Sequence, residues 1–319
     1  MSLCTPVVLL SHCRTHCRRS GTVAAVGPGV RHIQPGSRVF GAVSPLLPAG
    51  SHARYVAVPA EDVALVPPAW TDVTAAALPF AALTAWRAWR RAEPASLRGK
   101  TVLVLGAGGA VGSAAVQIAV AEGAAEVHAT VGAHSASRVA SYGAASVGDA
   151  SAAALPDVAS QLGWPRFDVV LDTRQPSAGS GEHQALGLCA QHRGHYVTLH
   201  GRLVDTLDTY GVFLGLPHAA AHLLSRQSQV TAAYDGVTYH WAAMRTDGDA
   251  WAQLAGWAHG GQLVPHVGQT VPWDRAAAAH EAVESGRTSG KVVLTMTTEE
   301  GADAGAAGQP PSPAREVTG

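Results

Sequence analysis

The stretch Val102-Leu-Val-Leu-Gly106-Ala-Gly-Gly109-Ala-Val-Gly112-Ser-Ala-Ala-Val-Gln-Ile-Ala119 runs from an apolar segment through clustered glycines into an alanine-rich one. That order predicts a strand, a tight turn and a helix. Such a unit aims backbone N–H groups and the positive end of a helix dipole at one point, which is what a pyrophosphate requires. The glycines at 106, 109 and 112 give GxxGxxG, with Gly108 adding room at the turn. A glycine turn made for packing alone reads the same way, so the surrounding pattern has to decide.

Downstream, short β-rich runs alternate with helical stretches. Strands are expected at 126–130, 146–147, 167–172, 195–200 and 229–233, and crossover helices at 135–142, 151–161, 182–191 and about 214–225. Connections of that length favour parallel pairing, and the fold class that follows is α/β, a doubly wound parallel sheet.

At the end of the second strand, a carboxylate would bond the ribose 2′-hydroxyl of NAD. Here the sequence reads Gly132-Ala-His134-Ser135-Ala-Ser137-Arg138, with small residues, hydroxyls and a cation instead of an acid. A 2′-phosphate is attracted by Arg138 and by hydroxyl donors, so NADPH is the expected cofactor. The alternative is a solvated helix arginine.

Of the 319 residues 47% are hydrophobic and 14% charged, and the formal net charge is −1, which leaves ample core and no electrostatic case for nucleic acid. No membrane span is expected, because the apolar run Ala75 to Trp86 is short and broken by Pro79. Cys4, Cys13, Cys17 and Cys189 form no disulfide framework. His12, Cys13, His16 and Cys17 are close enough in sequence for Zn²⁺, but they stand among arginines in a segment without a core of its own, and the expectation is no metal. Cys189 reads as a small buried apolar residue. The first acidic residue is Glu61, and the arginine-bearing start is compatible with mitochondrial import, the cytoplasm being the alternative. The last residues, 298–319, read as a disordered tail.

From Ser20, glycines and prolines punctuate short β-branched runs: Ser-Gly-Thr-Val, then Pro35-Gly36-Ser-Arg-Val39. With Leu78-Pro79-Phe-Ala-Ala-Leu83-Thr84-Ala-Trp86 and the glycine loop, the order resembles the zinc-independent quinone oxidoreductase branch of the medium-chain dehydrogenase/reductase superfamily. The likeness extends from about Ser20 to Leu294. Three later segments, Tyr196-Val-Thr-Leu199, Gly236-Val-Thr-Tyr239-His-Trp241-Ala242 and Gly286-Arg-Thr-Ser-Gly290-Lys291, resemble its mitochondrial, reticulon-interacting members. The resemblance implies a GroES-like β domain joined to a Rossmann domain, NADPH in the cleft, and a quinone or conjugated carbonyl (an enone) as acceptor. It also implies a homodimer and a reticulon-type protein partner.

Carried over position by position, the resemblance puts cofactor contacts on Gly106, Gly108, Gly109, Ala110, Val111 and Gly112. It adds Gly132, for which Ser135 or Arg138 substitutes, then Thr173, Leu199, Ala242, Met244, Arg287, Thr288 and Ser289. The cofactor supplies the chemistry in such an enzyme, so no acid–base residue is required by the pattern; Tyr239 and Thr84 are the candidates. Tyr239, Trp241 and Met244 read equally well as an apolar packing face.

The expected organisation is a basic leader at 1–19, a truncated GroES-like β domain at 20–85, an NADPH-binding domain at 86–233, a return segment at 234–297 and the tail. Arg18 stands where the family has an Asp, and only nineteen residues precede Ser20, so the β domain is expected to lack its opening strands and to expose an unpaired edge. Two readings follow. The chain is a working reductase, or a catalytically impaired protein that binds NADPH or a partner.

Overall fold

The computed structural model describes residues 6–11, 18–43, 55–93, 95–149, 153–174, 181–200, 203–285 and 288–296. The first part is an antiparallel sheet of β1 (Pro6–Ser11), β2 (Arg18–Val26), β3 (Arg38–Ala42), β4 (Tyr55–Pro59) and β5 (Val63–Leu65), in the order β4-β1-β2-β3-β5. Residues 6–11, read from sequence as part of a leader, are thus an inner strand. The expected unpaired edge is not found at β2, which pairs with β1 on one side and β3 on the other. Pro6-Val-Val-Leu-Leu-Ser11 is long enough for a strand, pairing with β2 on one side and β4 on the other.

Two helices, α1 (Asp72–Ala77) and α2 (Pro79–Ala92), lead into the second sheet. Thr71 caps α1 by accepting from the Thr74 amide, and Pro79 starts α2 with a ready-made φ. Then follow β6 (Thr101–Leu105), α3 (Ala110–Ala121), β7 (Glu126–Val131), α4 (Ala136–Ser141), β8 (Ser146–Asp149), α5 (Leu155–Gln161), β9 (Val169–Asp172), α6 (Gly181–Leu186), β10 (His195–Thr198), α7 (Leu203–Ala233) and β11 (Thr238–Trp241). The six strands are parallel in the order β11-β10-β9-β6-β7-β8, with helices between them. The strands β6 and β9 are buried on both faces, as a parallel sheet under two helical layers demands.

One expected strand fails. Gln229–Ala233 is the end of α7, not a strand, and the sixth strand is Thr238–Trp241. Val230 is buried and the helix continues to Tyr234, whose amide donates to the Val230 carbonyl. The left-handed Gly236 then turns the chain into β11. Helix α7 also starts earlier than expected and breaks at Gly211, which has φ 68.

The chain returns through α8 (Gly248–His259), then β12 (Val267–Pro272), α9 (Ala276–Glu284) and β13 (Lys291–Thr295), with β12 and β13 paired in parallel. A single core cluster runs from Phe40 of the first sheet through Leu83 and Trp89 of α2 to Val104, Ile118 and Trp251. Phe40 and Trp251 meet edge to face at 5.0 Å, and Trp89 Nε1 donates to the Ala115 carbonyl at 3.1 Å, locking α2 on α3. No helix among the described residues is long and apolar enough to cross a membrane.

Candidate functional site

The chain leaves β6 for α3 and β7 on one side, and leaves β9 for α6 and β10 on the other. The carboxyl ends of these adjacent strands therefore bound the crevice in which doubly wound sheets hold ligands. On one wall stands Gly106, with φ +79; a Cβ there would lie 2.8 Å from Thr173 Oγ1 on the other wall. The Thr173 amide and hydroxyl both reach the Leu105 carbonyl, at 3.0 and 2.8 Å, closing the base of the crevice. Gly112 has no room either, since a Cβ would come within 2.5 Å of the Gly106 carbonyl oxygen. The first in-helix bond of α3 runs from the Ser113 amide to Gly109, at 2.9 Å. The amides of Ala110, Val111 and Gly112 thus have no acceptor within their helix and face outward from its positive end.

Arg138, on α4, joins four segments at the flank of this loop. Its Nη2 donates to the Gly108 carbonyl at 3.1 Å, to Ser135 Oγ at 3.0 Å and to Ser289 Oγ at 3.4 Å, and its Nη1 donates to Ser113 Oγ at 3.1 Å. Ser135 lies against Gly108, whereas Gly132 opens on free space. The structure therefore gathers Gly108, Ser135, Arg138 and Ser289 into one polar cluster, which also recruits Ser113.

Leu199 follows β10 and is partly buried against the core, its amide on the Asp172 carbonyl. Thr288 is half-buried, and Arg287 lies outside the described residues. Ala242 and Met244 are 2% and 8% exposed and belong to the core cluster that α2, α3 and α8 share. Thr84 is buried, with its hydroxyl donated to the Phe80 carbonyl one turn back at 2.6 Å. Tyr239 stacks on Tyr196 with ring centroids 5.6 Å apart, and burial pushes its phenol up to about 12. Thr84 is thus buried and hydrogen-bonded within its own helix, and Tyr239 is half-buried against Tyr196. Cys189 is buried, and desolvation likewise pushes its thiol up to about 12, far from nucleophilic use. The His12 to Cys17 group, Cys4 and the 298–319 tail lie outside the described residues. Among those described, no group of three or more His, Cys, Asp or Glu is placed to hold a metal.

Sequence reading missed the partners of the buried Asp172. Arg174 forks onto it, Nε to Oδ1 at 2.9 Å and Nη2 to Oδ2 at 2.7 Å, and the Tyr196 hydroxyl donates to Oδ2 at 3.0 Å. An acid and a cation two places apart at the end of an apolar strand were the only signal. A separate groove, about 780 Å³, runs between β5 and α8 past His32, Glu61, Asp247, Trp251 and His259, and none of its walls comes from the glycine loop.

Among known proteins, the mouse (Mus musculus) protein named NAD(P)H oxidoreductase RTN4IP1, mitochondrial, is 31% identical over 281 residues, 87% of this chain and 69% of the relative. The chain belongs to that oxidoreductase family, a branch of the medium-chain dehydrogenase/reductases. A family model described as zinc-binding dehydrogenase matches residues 142–294 of this oxidoreductase. Its fold is that of an alcohol dehydrogenase superfamily protein from Novosphingobium aromaticivorans, with TM-score 0.72, 24% identity and 92% of each chain covered. It is also that of the quinone oxidoreductase from Coxiella burnetii, with TM-score 0.69, 19% identity, and 92% and 90% covered.

Proposed function

We propose that this family member is an NADPH-dependent reductase of quinones or conjugated carbonyls. The observation that carries the reading is the crevice between β6 and β9: three amides at the start of α3 with no acceptor within their helix, beside Arg138 and the hydroxyls of Ser135 and Ser289. A diphosphate fits the amides, and a 2′-phosphate fits a guanidinium with hydroxyl donors where a carboxylate would repel it. When bound, the coenzyme supplies a hydride to an electron-poor acceptor. The chain's own part is to hold and orient. In this reading Gly106 to Gly112 and Thr173 bracket the diphosphate, Gly132 and Ser135 border the adenosine ribose, and Leu199 shields the nicotinamide ribose from water. The residues at 20–85 and 234–297 form the acceptor's side of the cleft. The relatives named mitochondrial support the same location for this chain.

The test uses the full-length chain with NADPH and a panel of quinones and enones. Saturable NADPH binding with acceptor-dependent oxidation is expected. Failure to bind NADPH at millimolar concentration overturns the reading, and binding without turnover on every acceptor reduces it to a coenzyme-binding protein.

A further inference from the structure

Arg174 occupies a place that the coenzyme reading leaves unassigned. A Cβ on Gly106 would lie 3.0 Å from Arg174 Cγ and 3.4 Å from its backbone nitrogen, so the arginine stem lies across the first glycine of the loop. Its head is firmly held: besides the fork onto Asp172, Nη2 donates to the Gly181 carbonyl at 3.2 Å, and the Arg174 amide donates to Asp172 Oδ1 at 3.0 Å. The Nη1 edge makes no hydrogen bond among the described residues, and the side chain is 28% exposed. The hydrogen bonds to Asp172 hold the guanidinium above its usual range, so it carries its charge at any working pH.

An ion pair made only to neutralise Asp172 does not need a place in the crevice. Asp172 already receives the Tyr196 hydroxyl and a backbone amide. The α3 terminus offers only about half a unit of positive charge, whereas a pyrophosphate brings a full negative charge on each phosphate. Resting on the coenzyme reading, we infer that Arg174 grips the pyrophosphate from the β9 side, opposite the amides of α3, while Asp172 and Tyr196 act as positioning residues.

Three ligands separate this from other roles: NADPH, NADH and adenosine 2′-monophosphate, titrated calorimetrically into the wild-type chain, Arg174→Gln and Arg174→Lys. The Arg174→Gln change is expected to weaken NADPH and NADH by the same factor, about tenfold or more for a lost charge-assisted bond. Adenosine 2′-monophosphate, which has no pyrophosphate, keeps its affinity, and Arg174→Lys recovers part of the loss. Tyr196→Phe gives a smaller loss in the same direction. Unchanged dinucleotide affinity in Arg174→Gln overturns the inference, as does an equal loss for all three ligands, the mark of general damage. A wild-type chain that binds no NADPH defeats the coenzyme reading itself, a result distinct from either.

Discussion

Gln117 and Val264 exchange two hydrogen bonds, Nε2 to the Val264 carbonyl at 3.0 Å and the Val264 amide to Oε1 at 2.8 Å. One buried carboxamide thus mimics a strand partner and pins the returning chain, 147 positions later, to the helix that begins at the glycine loop. Gln117→Leu keeps the volume and leaves both backbone groups unpaired. A loss of about 2 kcal/mol is expected from denaturant unfolding. A loss below about 0.5 kcal/mol would mean the two groups find other partners.

Arg138 donates to the loop and to hydroxyls, and both roles can be separated by nucleotide preference. Arg138→Gln is expected to weaken NADPH by about tenfold more than NADH, the weight of a charge-assisted bond to the 2′-phosphate. Equal losses would make Arg138 a clasp for the Gly108 carbonyl and nothing more.

Arg90 and Glu122 form a buried ion pair that ties α2 to the far end of α3, and Glu122 also accepts from the Leu97 amide at 2.9 Å. Burial holds the Arg90 guanidinium below its usual range, yet Glu122 is only 4% exposed and depends on its donors. Glu122→Ala leaves a buried cation without its partner, and a loss of about 3 kcal/mol or more in unfolding free energy is expected.

Asp62, beside the groove between β5 and α8, is pushed up to about 6 by burial, reinforced by the Glu61 and Asp247 carboxylates and opposed by the Thr246 hydroxyl. A carboxyl whose pKa is raised on folding binds more protons folded than unfolded between pH 4 and 6. The folded state therefore loses stability as pH rises through that window, and the loss is complete above it. Asp62→Asn removes the effect. The variant should melt higher than the wild type at pH 8, with the difference vanishing toward pH 4; a difference independent of pH would refute the assignment.

The β6 strand, the loop and α3 were legible because their signal is local: an apolar run, glycines and an alanine helix within eighteen residues. Gln229–Ala233 misled because Val230 and Thr231 favour strands in isolation, while packing of Val230 decides for a helix. Pro6–Ser11 was passed over because its partners, β2 and β4, give it meaning only in space. Ser289 was named from resemblance, but its bond to Arg138 spans 151 positions. Tyr196 reaches the local Asp172–Arg174 pair only through the β9–β10 pairing, which no short window of sequence contains. Thr84 and Tyr239 were picked by residue type; the packing that buries Thr84 and half-buries Tyr239 against Tyr196 is set by neighbours distant in sequence.

The walls of the crevice, Gly106 and Thr173, touch across 67 positions of sequence. On the ribosome the glycine turn therefore emerges long before its facing strand, and a nascent chain halted short of β9 has one wall and no slot. Because β6, paired with β7 on one side, cannot be flanked on both until β9 arrives, assembly of this sheet waits on a distant segment and is expected to be slow. A nucleotide that binds in this slot, as the proposed function requires, would meet a late product of folding and lock the finished sheet rather than template it.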